Sequence, residues 1–411
     1  MPTSRLSGML AKRLDELKET NRLKGDESVI RGVIPARDGR GPRYVLEGEG
    51  ETAFLRMNSN SYLGMSFRAA VVAAEDEAAR MFGTGPGAVR FISGTWSPHI
   101  RLERRLASFH GRDAAMLFSS AYATVMGILP PLITGNTAVI SDALNHNCII
   151  NAIALARPGE KHIYRHLDMD DLERRLDEAA KTCARAIIVT DGVFSMRGDH
   201  APLDRIMALV RKFDAAFAEN VIVIVDDSHG VGAFGRSGRG TEEVTGSAPA
   251  DLLVATLGKA FGVNGGYVVA GDTIIRYLRE TSPFYIYSNP ITPAEAAAAT
   301  AAIDLLDGPQ GVALVEKLRA MAARFRAGLT RLGLETLPGE HPVVPLMLRD
   351  TVRTADFVAR LRQHGILATG LNYPVVPKGD EEIRFQISAD HTIGDIEEAL
   401  EVLSRLAGGM H

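Results

Sequence analysis

From about residue 100 to 272 the chain alternates between short apolar runs and longer stretches in which apolar positions recur every three or four residues. The runs are AMLFSS (115–120), TAVIS (137–141), KHIYRH (161–166), AIIVTD (186–191), VIVIVDD (221–227), LLVATLG (252–258) and YVVAG (267–271). The spacing predicts helices over 97–110, 122–134, 146–157, 168–182 and 202–217. Strands apolar on both faces are buried on both, and strands separated by helices pair in parallel. The expected fold is α/β, with a mostly parallel seven-stranded sheet in a large domain and helices on both faces.

The pattern differs on either side. Leu6, Met9, Leu10, Leu14 and Leu17 recur at helical spacing within 5–24 and predict an amphipathic helix that needs a partner surface. RYVLEG (43–48) and AFLRMN (53–58) read as a hairpin leading to Asn60-Ser-Tyr-Leu-Gly, and 69–82 reads as a helix. Gly83-Thr-Gly-Pro-Gly-87 reads as a loop. After about 290 come helices over 293–307, 310–332, 353–364 and 393–407, with runs VVPLML, ILATG and IRFQIS between them. The expected division is an N-terminal helix and hairpin segment (1–60), a large domain (61–292) and a smaller α+β domain (293–411).

Composition narrows this little. A length of 411 residues suits one large and one smaller domain, and the net charge of −4 comes without a basic block, so nothing calls for nucleic acid. Two cysteines, Cys148 and Cys183, form no disulfide framework. The charged N-terminus lacks a secretory apolar core, and no apolar run reaches the roughly 20 residues of a membrane span. A cytoplasmic location is expected.

The chemistry lies where the strands end, because ligands of such sheets sit beyond the carboxyl ends of their strands. LLVAT stops at Gly258-Lys259, and a lysine there is costly unless it stays paired or is used chemically. Most lysines after a strand are surface residues; the flanking apolar and glycine-rich sequence argues for use. VIVIV ends in Asp226-Asp-Ser-His-Gly, where Asp226 and His229 fall on one side of a turn, and Asp227 reads as structural. A lysine to form an imine, an acid for a ring nitrogen and the Thr256 hydroxyl for a phosphate are what a pyridoxal 5'-phosphate (PLP) site needs. His146 follows TAVIS, at a height where an imidazole can stack on the cofactor. Ser119-Ser-Ala-Tyr-122 opens a helix whose amides suit a phosphate. Arg384, in IRFQIS, is a planar fork able to clamp a carboxylate.

Together, TLGKA (256–260) with GGY (265–267), DDSHG (226–230), SDALNH (141–146), DGVFSM (191–196) and YPVVPKG (373–379) resemble the α-oxoamine synthases, which are fold-type I PLP-dependent transferases. The resemblance runs from Asn60-Ser-Tyr-Leu-Gly to Ser388-Ala-Asp-His-Thr and lies nearest the glycine C-acetyltransferase (2-amino-3-ketobutyrate CoA ligase) branch. It implies that Lys259 carries the imine and moves the Cα proton. It implies further that Asp226 pairs with the pyridinium, that His229 and Ser195 lie by the phenolate oxygen, and that His146 stacks on the ring. The amides of Ala121 and Tyr122, with Thr256, would hold the phosphate, and Ser288 and Asn289 would reach the phosphate of the neighbouring subunit. Asn60 and Arg384 would bind the substrate carboxylate. The implied reaction joins an amino acid, glycine first, to an acyl-CoA, acetyl-CoA first, in a homodimer with shared sites. Ser61, the Ala121–Val125 stretch and the 83–90 loop depart from the family pattern, and Val375 stands where oxononanoate synthases carry threonine, which counts against that sibling.

Three other functions compete: an oxononanoate-synthase-like or broad-specificity sibling, a PLP aminotransferase, and a non-catalytic scaffold subunit of the same fold. A scaffold would lack the lysine, and an aminotransferase would need no CoA. A nucleotide-binding α/β domain is a weaker reading, since the chain lacks both G-x-G-x-x-G after a first strand and a Walker loop.

Overall fold

The computed structural model describes residues 3–20, 23, 27–373 and 375–408. The end of the expected first helix (21–22 and 24) and Pro374 of YPVVPKG lie outside the described residues. The first strands are β1 (Ile30–Ile34), β2 (Arg43–Leu46) and β3 (Ala53–Arg56). The large sheet takes β4 (Ala114–Phe118), β5 (Thr137–Asp142), β6 (Glu160–Tyr164), β7 (Arg185–Asp191), β8 (Val221–Asp226), β9 (Leu252–Thr256) and β10 (Gly266–Ala270). Its order is β4-β10-β9-β8-β7-β5-β6. All seven expected strands are present, and β5 to β9 run parallel. β10 is antiparallel to both neighbours, pairing Gly266 with Thr256 on one side and with Phe118 on the other.

Alternation along each strand builds a core on both faces. In β4, Ala115 and Leu117 join one buried cluster while Met116 and Phe118 join another. β9 divides likewise, Leu253 and Ala255 against Leu252 and Val254. The helices that matter for the site are α1 (Ser4–Glu19), α2 (Ala69–Phe82), α3 (Ser97–His110), α4 (Ala121–Leu132) and α5 (Asn147–Ala156). No residue of α1 is buried, and Leu6, Met9, Leu10 and Leu14 are all more than half exposed.

The smaller C-terminal domain contributes β11 (Val343–Met347), β12 (Ile366–Leu367), β13 (Thr369–Leu371) and β14 (Glu382–Gln386). The run ILATG is not one strand. Its first half, β12, pairs in parallel with β3, and its second half, β13, pairs with β14, so the two fall in different sheets. The expected hairpin β2–β3 forms but gains β1 as a third strand. A π-turn at Arg90–Gly94 follows the 83–87 loop. No helix among the described residues is long and apolar enough to cross a membrane.

Candidate active site

The carboxyl ends of the parallel strands converge on one cavity of roughly 360 Å³, counting its open mouth. Lys259, His146, Asp226, His229, Ser195, Ala121 and Tyr122 all line it, as do Cys148, Asp191 and Ser228. Lys259 is also in the wall of an outer polar cleft that contains Asn60 and Ser61. The amine is thus reachable from both spaces.

The Lys259 amine makes no hydrogen bond or ion pair with another described residue, while the Lys259 carbonyl accepts from the Gly262 amide at 3.1 Å. Burial lowers its pKa, against the pull of Asp226 and Asp191, so the neutral amine is more accessible than in a surface lysine. Asp191 is raised well above the carboxylate range by burial and then by the Asp226 charge; the His146 amide, 3.0 Å from its Oδ2, opposes this. Asp226 accepts from the Ser228 amide at 3.1 Å and lies 3.7 Å from the Cys148 thiol.

The histidines are held as neutral rings. His146 caps α5, its Nδ1 accepting from the Cys148 amide (3.2 Å) with the thiol 2.9 Å away, and burial lowers its pKa. Burial, followed by the Lys259 charge, pushes His229 well below its ordinary value. The Tyr62 hydroxyl stands 2.7 Å from His229 Nδ1, and burial raises the Tyr62 pKa so that the phenol keeps its proton. The same hydroxyl donates to Asn60 Oδ1 at 3.4 Å, so Tyr62 links His229 to Asn60.

The turn before α4 is shaped for an anion. Ser120 caps the helix by accepting from the Ala123 amide at 3.1 Å. The Ala121 and Tyr122 amides ahead of it donate to no described group. A Cβ on Gly266 would stand 2.2 Å from the Ala121 nitrogen, so only glycine lets β10 pass beneath the turn. Free amides at the head of a twelve-residue helix, a buried amine and an opposed carboxylate fit the phosphate, aldehyde and ring nitrogen of PLP.

The next residue down the chain has a different task. Asp227 is fully buried and accepts from the Thr241 amide and hydroxyl, both at 2.7 Å. A Cβ on Gly240, whose φ is +86°, would lie 2.0 Å from Asp227 Oδ2.

Other expected residues sit outside the cavity. The Thr256 hydroxyl donates to the Gly265 carbonyl (3.1 Å) and accepts from the Gly258 amide (3.0 Å), so its proton is already used. Ser288 and Asn289 do not line the cavity of their own chain; Asn289 is exposed beside Tyr287, itself 81% exposed. Arg384 Nη1 donates to the Ser195 carbonyl at 3.1 Å, and its buried Nε has no partner among the described residues. Gln386 bonds to Asn60. Sequence reasoning assigned no role to Tyr62, Cys148, Asp191 or His341. His341 donates to the His229 carbonyl at 2.9 Å, and burial lowers its pKa to about 3. Asp191 and Tyr62 stood inside the motifs already singled out; His341 carried no local signal.

Sheet order, lysine and anion turn together define a fold-type I PLP-dependent transferase. The aminotransferase class I and II family matches residues 52–403. The chain is 40% identical over 372 residues to 8-amino-7-oxononanoate synthase of Geobacter metallireducens, covering 90% of this chain and 92% of that protein. It is 37% identical over 412 residues to the mitochondrial 2-amino-3-ketobutyrate coenzyme A ligase of Bos taurus, covering 99% and 94%. A structure of SPT with a PLP internal aldimine matches with a TM-score of 0.85 at 28% identity, over 99% of each chain. This chain belongs to the aminotransferase class I and II family, and within it to the PLP-dependent α-oxoamine synthases.

Proposed function

We propose that this enzyme joins the Cα of glycine to the acyl carbon of acetyl-CoA or another short acyl-CoA, with CoA leaving as the thiolate. What carries the reading is the position of Lys259, an unpaired amine shared by a cavity with an opposed carboxylate and a cleft with Asn60.

When bound, PLP supplies the electron sink for negative charge at Cα. Asp226 would hold the ring nitrogen protonated, His146 would cover the ring, and His229 and Ser195 would lie by its phenolate oxygen. Ala121 and Tyr122 amides hold the phosphate; Thr256 joins them by releasing Gly265. Arg384 and Asn60 hold the amino acid's carboxylate, and the free Nε of Arg384 is a donor still to be used. Lys259, its pKa lowered by burial, takes the Cα proton. The enzyme acts as a homodimer in which Ser288 and Asn289 reach the partner's phosphate, a role supported by their position outside their own cavity.

Relatives named 8-amino-7-oxononanoate synthase, at 40% and 38% identity, favour a second reading. By its name that product bears a carboxylate at the far end of its acyl-derived chain. The two readings separate in a panel of amino acids against acyl-CoAs, followed by release of free thiol from the PLP-loaded protein. Glycine with acetyl-CoA should be fastest. Preference for alanine with an ω-carboxyacyl-CoA would establish the second reading, and amino-group exchange without thiol release would show an aminotransferase.

A further inference from the structure

The turn after β5 is fastened to β7 by two buried side chains that the reaction above leaves without a role, Asn145 and Asp191. The β5–β7 ladder ends at Ser141 opposite Val189. Four residues on, the Asn145 side chain continues it. Its Nδ2 donates to the Val189 carbonyl at 2.7 Å, and its Oδ1 accepts from the Asp191 amide at 2.9 Å. A peptide unit of a parallel strand opposite Thr190 would bond to the same two groups. The other Nδ2 proton goes to Ser141 Oγ at 2.9 Å. Asp191 completes the clasp, its Oδ2 accepting from the His146 amide at 3.0 Å. The imidazole is held from the other side, with Nδ1 on the Cys148 amide at 3.2 Å. The main chain of His146 is thus fixed from β7 and its ring from α5.

We propose that Asn145 and Asp191 are positioning residues that fix where His146 meets the cofactor ring, and that Asp191 does so as an uncharged acceptor. The inference rests on the placement of His146 in the reading above. Asp191 stands opposite Asp226 in the β7–β8 register, and both carboxyls face the same cavity. Two such neighbours cannot both ionise without a large penalty. Burial, followed by the Asp226 charge, raises the Asp191 pKa, in agreement with a neutral acid. A backbone amide needs only a carbonyl oxygen opposite it, which a neutral carboxyl supplies. The charge of the pair then falls to Asp226, where the ring nitrogen needs it.

The test titrates cofactor-free protein with PLP and reads the dissociation constant together with the visible circular dichroism of the bound cofactor, which reports how the ring is seated. Neither readout involves acyl-CoA or thiol release, so it stands apart from the test of the condensation. His146→Ala and Asp191→Ala should each weaken PLP by about tenfold and shrink the dichroism band. Asp191→Asn, which keeps an acceptor oxygen and cannot ionise, should stay within about twofold of wild type. The double Asp191→Ala/His146→Ala variant should bind PLP within about twofold of His146→Ala alone, because Asp191 acts through that residue. Asn145→Ala should repeat the Asp191→Ala result, and it replaces that variant if Asp191→Ala does not fold. An Asp191→Asn variant as weak as Asp191→Ala, additive losses in the double variant, or a band unmoved by both Asp191→Ala and Asn145→Ala would each overturn the proposal. A band unmoved by His146→Ala would overturn the placement of His146 itself, and the proposal with it.

Discussion

Two groups of buried charge lie in the same large sheet region and are built on opposite plans. In the first, Glu103 of α3 receives Arg90 at 3.1 and 3.2 Å and Arg279 at 2.9 Å. Arg90 also donates to Thr95, Arg279 to Tyr285 and to the Ala115 carbonyl, and the Leu117 amide reaches Glu103. Each charged group has several partners. In the second, Lys259, Asp226 and Asp191 face one another across a cavity without a direct bond. The saturated group ties α3 to β4. The unsaturated group keeps donors and acceptors in reserve, which is how a ligand site differs from a structural ion pair of similar burial.

Three substitutions probe that contrast. The largest effect is expected from Lys259→Ala, which should reduce thiol release by about a thousandfold or more. Its melting temperature in the cofactor-free form should hold or rise, because a buried amine is removed. A cofactor-free form that melts far lower would mean the lysine is structural. Next comes Glu103→Ala, which strands two arginines and should cost about 3–5 kcal/mol in urea unfolding. Turnover per folded molecule should change far less than in the lysine variant. Comparable loss of turnover in the two would erase the distinction between the groups. The smallest effect is a pH dependence. Burial raises the Glu382 pKa on folding from 4.5 to about 8, so the folded state binds the extra proton and loses relative stability as pH rises through that window. Glu382→Gln should therefore melt higher relative to wild type at pH 9 than at pH 5, and an equal difference at both would contradict the burial argument.

The saturated and unsaturated groups were also unequally visible in the sequence. The second was legible because buried parallel strands read as apolar runs, and polar residues at their ends stand out: Lys259 after LLVAT, Asp226 after VIVIV, His146 after TAVIS. The Arg90–Glu103–Arg279 group was not, because its members are far apart in the chain and look like solvated helix charges. Glu382 shows the same limit, since a glutamate beside IRFQIS carries no local sign that its strand is central in a three-stranded sheet. β1 was missed because Gly32 and Arg31 break its apolar pattern. The split of ILATG between two sheets depends on partners at β3 and β14, which no local period encodes. Sheet order was equally hidden: nothing in YVVAG announces that it runs against its neighbours.

That reversed strand has a consequence for synthesis. β10 separates β4 from the rest of the large sheet, and Gly266 lies directly under the turn that heads α4. Residues 114–122 therefore leave the ribosome without the strand that joins them to the sheet and must wait until residue 270 has been made. Such long-range closure makes assembly slow. The nascent chain thus has neither its lysine nor its finished anion turn until about two thirds of it exists, and the cofactor has no complete site to bind before then.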